Sequence, residues 1–121
     1  MGSHRQEVQR RRRKLRERMR ALSFQPLMRG SIVQLRRRCG KPNCACATDP
    51  EARHGGSYLS VHLSGRTQTL YLRPEDEERV RKAIAAYQEL WEVIDGLTAC
   101  EFAELKREAR ERRRSRKRRR A

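Results

Sequence analysis

Cys39, Cys44 and Cys46 lie within eight residues of one another, and His54 follows after seven intervening residues. Three thiolates and an imidazole are the soft donors that zinc takes in a tetrahedral Cys3His site. Gly40, Pro42 and Asn43 are turn formers, so the chain between Cys39 and Cys44 folds back and brings two sulfurs to one point. Asp49, Glu51, His62 and a water molecule are the alternatives to His54 as fourth ligand. Two other readings compete: a Gly/Pro/Asn loop with unconnected thiols, and a disulfide. Cys44 and Cys46 are too close to pair without strain, and a Cys39–Cys44 bridge leaves Cys46 and Cys100 unexplained. The spacing is not one of the common zinc-finger spacings.

The rest of the chain must supply a frame for this loop. Apolar residues make up 36% of 121 and charged residues 38%, so a large core is out of reach and a metal staple compensates. The net charge of +16 is unevenly spread. Residues 1–38 hold thirteen Lys/Arg against two Glu, and residues 101–121 hold eleven against four acids. Residues 39–100 hold seven basic and nine acidic side chains. A near-neutral body is thus flanked by two cationic arms that repel themselves unless a polyanion neutralises them.

No apolar run approaches the roughly 18 residues of a membrane span. The basic N-terminus lacks a hydrophobic signal region. Clustered cysteines without such a signal point to a reducing, cytoplasmic setting and to metal rather than disulfide.

Residues 5–22 lack Gly and Pro and read as a helix with one apolar stripe, Val8, Leu15, Met19 and Leu22. Its run Arg10, Arg11, Arg12, Arg13, Lys14 and then Arg16 spreads positive charge around the cylinder. Like charges at i,i+4 make such a helix poorly stable alone. The stripe has no Trp or Phe, which speaks against a membrane-surface helix. A linker with Pro26 and Gly30 follows. Residues 31–38 read as a strand that delivers Arg36, Arg37 and Arg38 to the loop, where Lys41 and Arg53 extend the cationic surface.

Gly55-Gly56 reads as a flexible turn. Residues 57–63 and 66–72 alternate around Ser64-Gly65, a β-hairpin signal. Leu59, Val61 and Leu63 share the face expected to pack on a helix. Tyr58, Ser60 and His62 share the other, a Tyr-bearing face suited either to cross-strand aromatic packing or to stacking on nucleobases. Pro74 and the acids Glu75 to Glu78 mark a helix start, with the acids complementing the positive dipole end. Val80, Ile84, Tyr87, Trp91 and Ile94 step as a heptad-like seam. Gly96 is expected to end that helix. Thr98 to Glu101 then has capping-box spacing, and Phe102, Leu105 and Ala109 continue a short stripe. Cys100 reads as a small buried residue. From Arg110 to Arg120 nine of eleven residues are basic.

The expected fold is α+β: a small zinc-stapled three-stranded antiparallel sheet packed on a long helix, with basic helical arms. The expected division is 1–28 for the N-terminal arm and linker, 29–97 for the body and 98–121 for the C-terminal helix and tail.

The segment GSIVQLRRRCGKPNCACA, followed by His54-Gly55-Gly56-Ser57-Tyr58-Leu59, resembles an uncharacterised family of small prokaryotic proteins. There a segment like GSI-x-x-x-RRRCGKPxCxCA is followed by HGPYYYLS, a hairpin and a helix. The resemblance covers about residues 29–95 and leaves the basic arms outside. The family carries no established function and is associated with mobile-element neighbourhoods. This chain has His54-Gly55-Gly56 where the family often has His-Gly-Pro, and a longer insert between Cys46 and His54.

These readings lead to a non-catalytic nucleic-acid-binding protein with zinc as cofactor. Guanidinium groups make bidentate phosphate contacts and stack on bases. The contact residues are Arg10, Arg11, Arg12, Arg13, Lys14 and Arg16 in one arm; Arg36, Arg37, Arg38, Lys41 and Arg53 around the loop; and Arg112, Arg113, Arg114, Arg116, Lys117, Arg118, Arg119 and Arg120 in the other arm. RNA is slightly favoured over DNA, because arginine-rich arms that order on binding are common among RNA-binding proteins; a larger ribonucleoprotein is one setting. The alternatives are a DNA-binding accessory of a mobile element, or an adaptor that forms a homodimer through the Val80–Ile94 seam. A zinc deaminase needs His-x-Glu and Pro-Cys-x-x-Cys, and neither is present. Four donors on zinc leave no open position for water, so no catalytic residue is assigned.

Overall fold

A computed structural model of the chain describes residues 3–120. Helix α1 spans His4–Leu22, strand β1 Gly30–Arg37, β2 His54–Leu63, β3 Arg66–Tyr71, and helix α2 Pro74–Arg120. Two short 3-10 turns, Ala45–Ala47 and Pro50–Ala52, lie between β1 and β2. The sheet is antiparallel in the order β1-β2-β3, so the architecture is α+β as the pattern predicts. The chain divides into two units, Pro26–Tyr87 and Met1–Gln25 with Gln88–Ala121.

In the unit Pro26–Tyr87, β-branched and aromatic residues favour the extended chain, and Ser64-Gly65 closes the hairpin. Their φ values, +53° and +77°, are those of a type I′ turn, whose twist matches the flanking strands. Ile32 stands opposite Leu59, and Leu59 opposite Leu70. Leu59, Leu72 and Val80 are buried together, with Met28, Ile32, Val61 and Ile84 packed against them. The Leu/Val face therefore packs on the first turns of α2. Ser57 Oγ donates to Glu77 Oε1 at 2.9 Å, and Leu72 N–H to the Ser57 carbonyl at 2.8 Å, tying strand, hairpin end and helix start. Gly55 and Gly56 are not a turn: they lie in β2, paired with Arg36 and Leu35. The alternation of β1 continues past them, and Arg37 pairs with His54.

In the other unit, a capping box starts α1: Ser3 Oγ accepts from Gln6 N–H at 3.2 Å, and Gln6 Oε1 accepts from Ser3 N–H at 3.0 Å. Leu22 is fully buried, and Val8, Leu15 and Met19 are half-buried, as the stripe predicts. Arg18 clasps both oxygens of Glu89, and Arg12 pairs with Glu101 and Glu104, each at 3.0 Å. Cys100 is buried, with its sulfur 3.9 Å from the Val8 carbonyl.

Two local expectations for α2 fail. The helix does not stop at Gly96 but runs 47 residues to Arg120. Gly96 serves a close approach instead, since a Cβ there would lie 2.9 Å from Leu15 Cδ1. Thr98 is no cap: its hydroxyl donates to the Ile94 carbonyl one turn back at 3.0 Å. Burial along the 80–94 seam is uneven, with Ile84 and Tyr87 half-buried. Val80, Ala83, Ala86, Val93 and Cys100 are buried, whereas Trp91, Ile94, Phe102 and Leu105 are exposed. Small residues mark the faces along which α2 packs closely, and the largest apolar ones lie outside them.

Candidate metal centre

The loop after β1 folds on itself through short-range bonds. Gly40 takes φ +87°, a conformation open to glycine. Cys44 N–H then donates to the Lys41 carbonyl at 3.2 Å, and Ala47 N–H to the Cys44 carbonyl at 3.0 Å. Asp49 caps the second 3-10 turn by accepting from Glu51 N–H at 3.0 Å. Arg36 reaches from β1 to the carbonyls of Glu51 and Arg53, at 2.6 and 3.3 Å. That clamp holds the insert between Cys46 and His54, so the insert leads back into β2 with His54 in place.

Cys39, Cys44, Cys46 and His54 bring their ligand atoms within 4.8 Å of one another. The Cys44 sulfur is 3.4 Å from His54 Nε2, and the Cys46 sulfur 3.5 Å from that of Cys39. A tetrahedral zinc with Zn–S of about 2.3 Å holds its donors roughly 3.7 Å apart, which these separations match. The four residues are close enough to hold a metal ion and are compatible with zinc. Of the candidates for a fourth donor, His54 is the one grouped with the three cysteines; Asp49 is a cap, and His62 Nδ1 faces Thr67 Oγ1 at 3.2 Å.

The electrostatics favour thiolate at Cys44 and oppose it at Cys46. The Cys46 backbone N–H, the His54 ring and the neighbouring thiols hold the Cys44 thiol down at about 6. The Cys39 N–H, 3.3 Å from the Cys46 sulfur, pulls that thiol down as well. Burial and the adjacent Cys44 and Cys39 thiols outweigh it and hold Cys46 above its ordinary value. A dication reverses that balance by pairing with the charge that burial disfavours.

The cationic residues fall into different environments. Arg10, Arg11, Arg13, Lys14 and Arg16 are exposed on α1, but Arg12 is committed to Glu101 and Glu104 with its side chain 15% exposed. Arg36, Arg37, Arg38 and Lys41 are exposed, and Arg53 is half-buried. Arg38 and Lys41 line a hollow of about 220 Å³ with Gly40, Pro42, Cys46 and Ala47. Arg112, Arg113, Arg114, Arg116, Lys117, Arg118, Arg119 and Arg120 are all exposed on α2. The sequence reading missed the acids that engage Arg12 and Arg18, because those partners lie far along the chain.

A family model described as a domain of unknown function, DUF6788, matches residues 5–82. The chain belongs to this family. The DUF6788 match takes in α1, the metal loop, all three strands and the start of α2. It thus begins well before the segment on which the resemblance rests, and α1 is part of the family domain rather than an appendage. No curated protein and no solved structure matches the chain. Among the described residues, no helix is long and apolar enough to cross a membrane.

Proposed function

We propose that this DUF6788 member is a non-catalytic nucleic-acid-binding protein with a structural zinc, RNA being favoured over DNA. The observation that carries the reading is the last stretch of α2. It stays helical to Arg120, every side chain from Glu111 to Arg120 is exposed, and Glu111 is already paired with Arg107 at 2.8 Å. Beyond it, eight of nine residues to Arg120 are cationic and the ninth is Ser115. Like charges one turn apart oppose the helix, and a polyanion relieves that opposition. The exposed cations of α1, in the same unit, add to the field, while Arg12 does not. Zinc fixes the loop that presents Arg38 and Lys41. With all four donors on the metal, no position remains for a reacting water, so binding rather than catalysis fits the centre.

The test is ultraviolet crosslinking of the full chain in cells, followed by sequencing of what copurifies. The expected result is enrichment of RNA fragments over DNA, with crosslinked peptides from α1, the metal loop or the end of α2. A chain that copurifies with neither nucleic acid and binds neither at low salt overturns the reading. An adaptor that self-associates through exposed apolar residues is the second reading, favoured by Ile94, Phe102 and Leu105, which are 36%, 61% and 60% exposed on α2. Sedimentation at graded concentration separates the two.

A further inference from the structure

We propose that the sheet face carrying Arg37, Tyr58 and Tyr71 is a stacking platform for single-stranded nucleic acid; this rests on the nucleic-acid reading above and assigns it a ligand form. Alternation places His54, Gly56, Tyr58 and Ser60 of β2 on the face opposite the Leu59 core. Register adds Val33 and Arg37 from β1, and Thr69 and Tyr71 from β3. The Tyr58 and Tyr71 rings meet edge to face, with centroids 5.5 Å apart. The Arg37 guanidinium sits 4.5 Å over the Tyr58 ring and reaches Thr69 Oγ1 at 3.4 Å.

Gly56 explains the position of Tyr71. A Cβ there would lie 3.1 Å from Tyr71 Cε2 and 3.6 Å from Cδ2, so the ring edge rests where a side chain would otherwise stand. Tyr71 is held by Gly56 and Tyr58 yet remains 54% exposed. A fixed, half-open aromatic ring loses little freedom when a base stacks on it.

Charge selects the partner. None of the three strands contains an Asp or Glu, while they carry Arg36, Arg37 and Arg66. At the end of the sheet away from His54, an open groove of about 380 Å³ is lined by Ser31, Ser60, His62 and Thr67 of this face, by Arg29, and by Gly30 and Val61 of the core face. Hydroxyls, an imidazole and a guanidinium there suit base edges, sugars and phosphates. A duplex keeps its base faces stacked inside, so an aromatic platform serves splayed, single-stranded bases. The metal centre supports the same face, because His54, Gly56 and Tyr58 are alternate residues of one strand.

The test compares wild type, Tyr71→Leu and Tyr71→Phe for binding to a short oligouridylate and to a blunt RNA duplex of equal length, by fluorescence anisotropy. Metal content and melting temperature are measured on each. Leucine still covers Gly56 but offers no ring, and phenylalanine keeps it. The expected result is a loss of at least about fivefold for the single strand with Tyr71→Leu, little change with Tyr71→Phe, and unchanged duplex binding for both. Crosslinking of a 4-thiouridine oligonucleotide should fall on Tyr71 or Tyr58. Wild-type single-strand affinity in a folded, metal-loaded Tyr71→Leu overturns the platform and leaves the nucleic-acid reading standing. Wild type that binds neither probe overturns both.

Discussion

A Cβ on Gly96 would stand 2.9 Å from Leu15 Cδ1 and 3.3 Å from Cδ2. The two helices approach so closely at that turn that a methyl group fits only if the Leu15 side chain moves. On an exposed helix, Gly→Ala gains about 1 kcal/mol from helix propensity. Here moving the Leu15 side chain off its rotamer costs about 0.5–1.5 kcal/mol, which offsets the gain. Gly96→Ala is therefore expected to leave stability nearly unchanged. In a Leu15→Ala background the same change should give the full gain. Urea melts of the four proteins in that cycle measure the coupling; an equal gain in both backgrounds would show that the contact has no energetic weight.

Removal of the metal should unfold the Pro26–Tyr87 unit. Structural zinc contributes on the order of 10 kcal/mol to small domains, and the buried apolar cluster here is led by only Leu59, Leu72 and Val80. Elemental analysis is expected to find about one zinc per chain, and a strong chelator to abolish strand circular dichroism cooperatively. Cys46→Ser should lose the metal most completely, since that sulfur is 1% exposed and has Cys39 on both its N–H and thiol sides. His54→Ala should retain weakened binding, because water can take the exposed fourth position. Cys100→Ser should leave metal content alone. Chelator-treated protein with an unchanged melt would remove zinc from the fold.

The cluster of four potential metal donors and the hairpin are legible in the sequence because both are local. Cys39 to His54 is a chain-length problem, and Ser64-Gly65 names its own turn. What stayed hidden is set by distant partners. Arg12 looks like Arg11 and Arg13 until α1 lies against α2 and Glu101 and Glu104 meet it. Gly96 has two common uses, helix end and close approach, and only Leu15 decides between them. A seam from Val80 through Trp91 to Ile94 follows the large apolar residues of α2, and of those three only Val80 is buried, together with Ala83, Ala86, Val93 and Cys100. The basic run of residues 110–120 is legible both as charge and as a helical arm, whereas its continuity with the helix before it depends on α2 passing through Gly96 without a break.

Stability of the unit that holds α1 should depend on pH through Glu89. Hydrogen bonds from Arg18, aided by its charge and opposed by burial, hold the Glu89 carboxyl below its ordinary range. A depressed folded value means the stabilisation is complete above the unfolded value, near 4.3, and is lost as pH falls through the folded one. Wild type is therefore expected to exceed Glu89→Gln in melting temperature at neutral pH, and the two curves should converge in acid. Added salt should narrow the neutral gap, since the pair is partly exposed. A gap that does not narrow as the pH falls would mean that Glu89 acts through packing rather than charge.

Arg12 and Arg13 are neighbours in sequence and should respond oppositely to the same change. Arg13 is exposed on α1, so under the nucleic-acid reading it neutralises a phosphate. Arg13→Gln should lower the log–log salt slope of binding by about 0.9 on duplex DNA or about 0.7 on a single strand, and leave the melt unchanged. Arg12 is drawn in by Glu101 and Glu104 and has little reach toward a ligand. Arg12→Gln should keep the wild-type slope but lower the melting temperature, because two carboxylates lose their counterion beside the buried Cys100. Replacing Arg112, Arg113, Arg116 and Lys117 together with Gln sets the scale, with an expected fall of up to about 3.6 on duplex DNA. Salt titrations and melts on these three variants decide the matter. A slope that falls equally for Arg12→Gln and Arg13→Gln would mean that the Arg12 ion pairs open on binding. A slope indifferent to the fourfold change would mean that the end of α2 touches no phosphate.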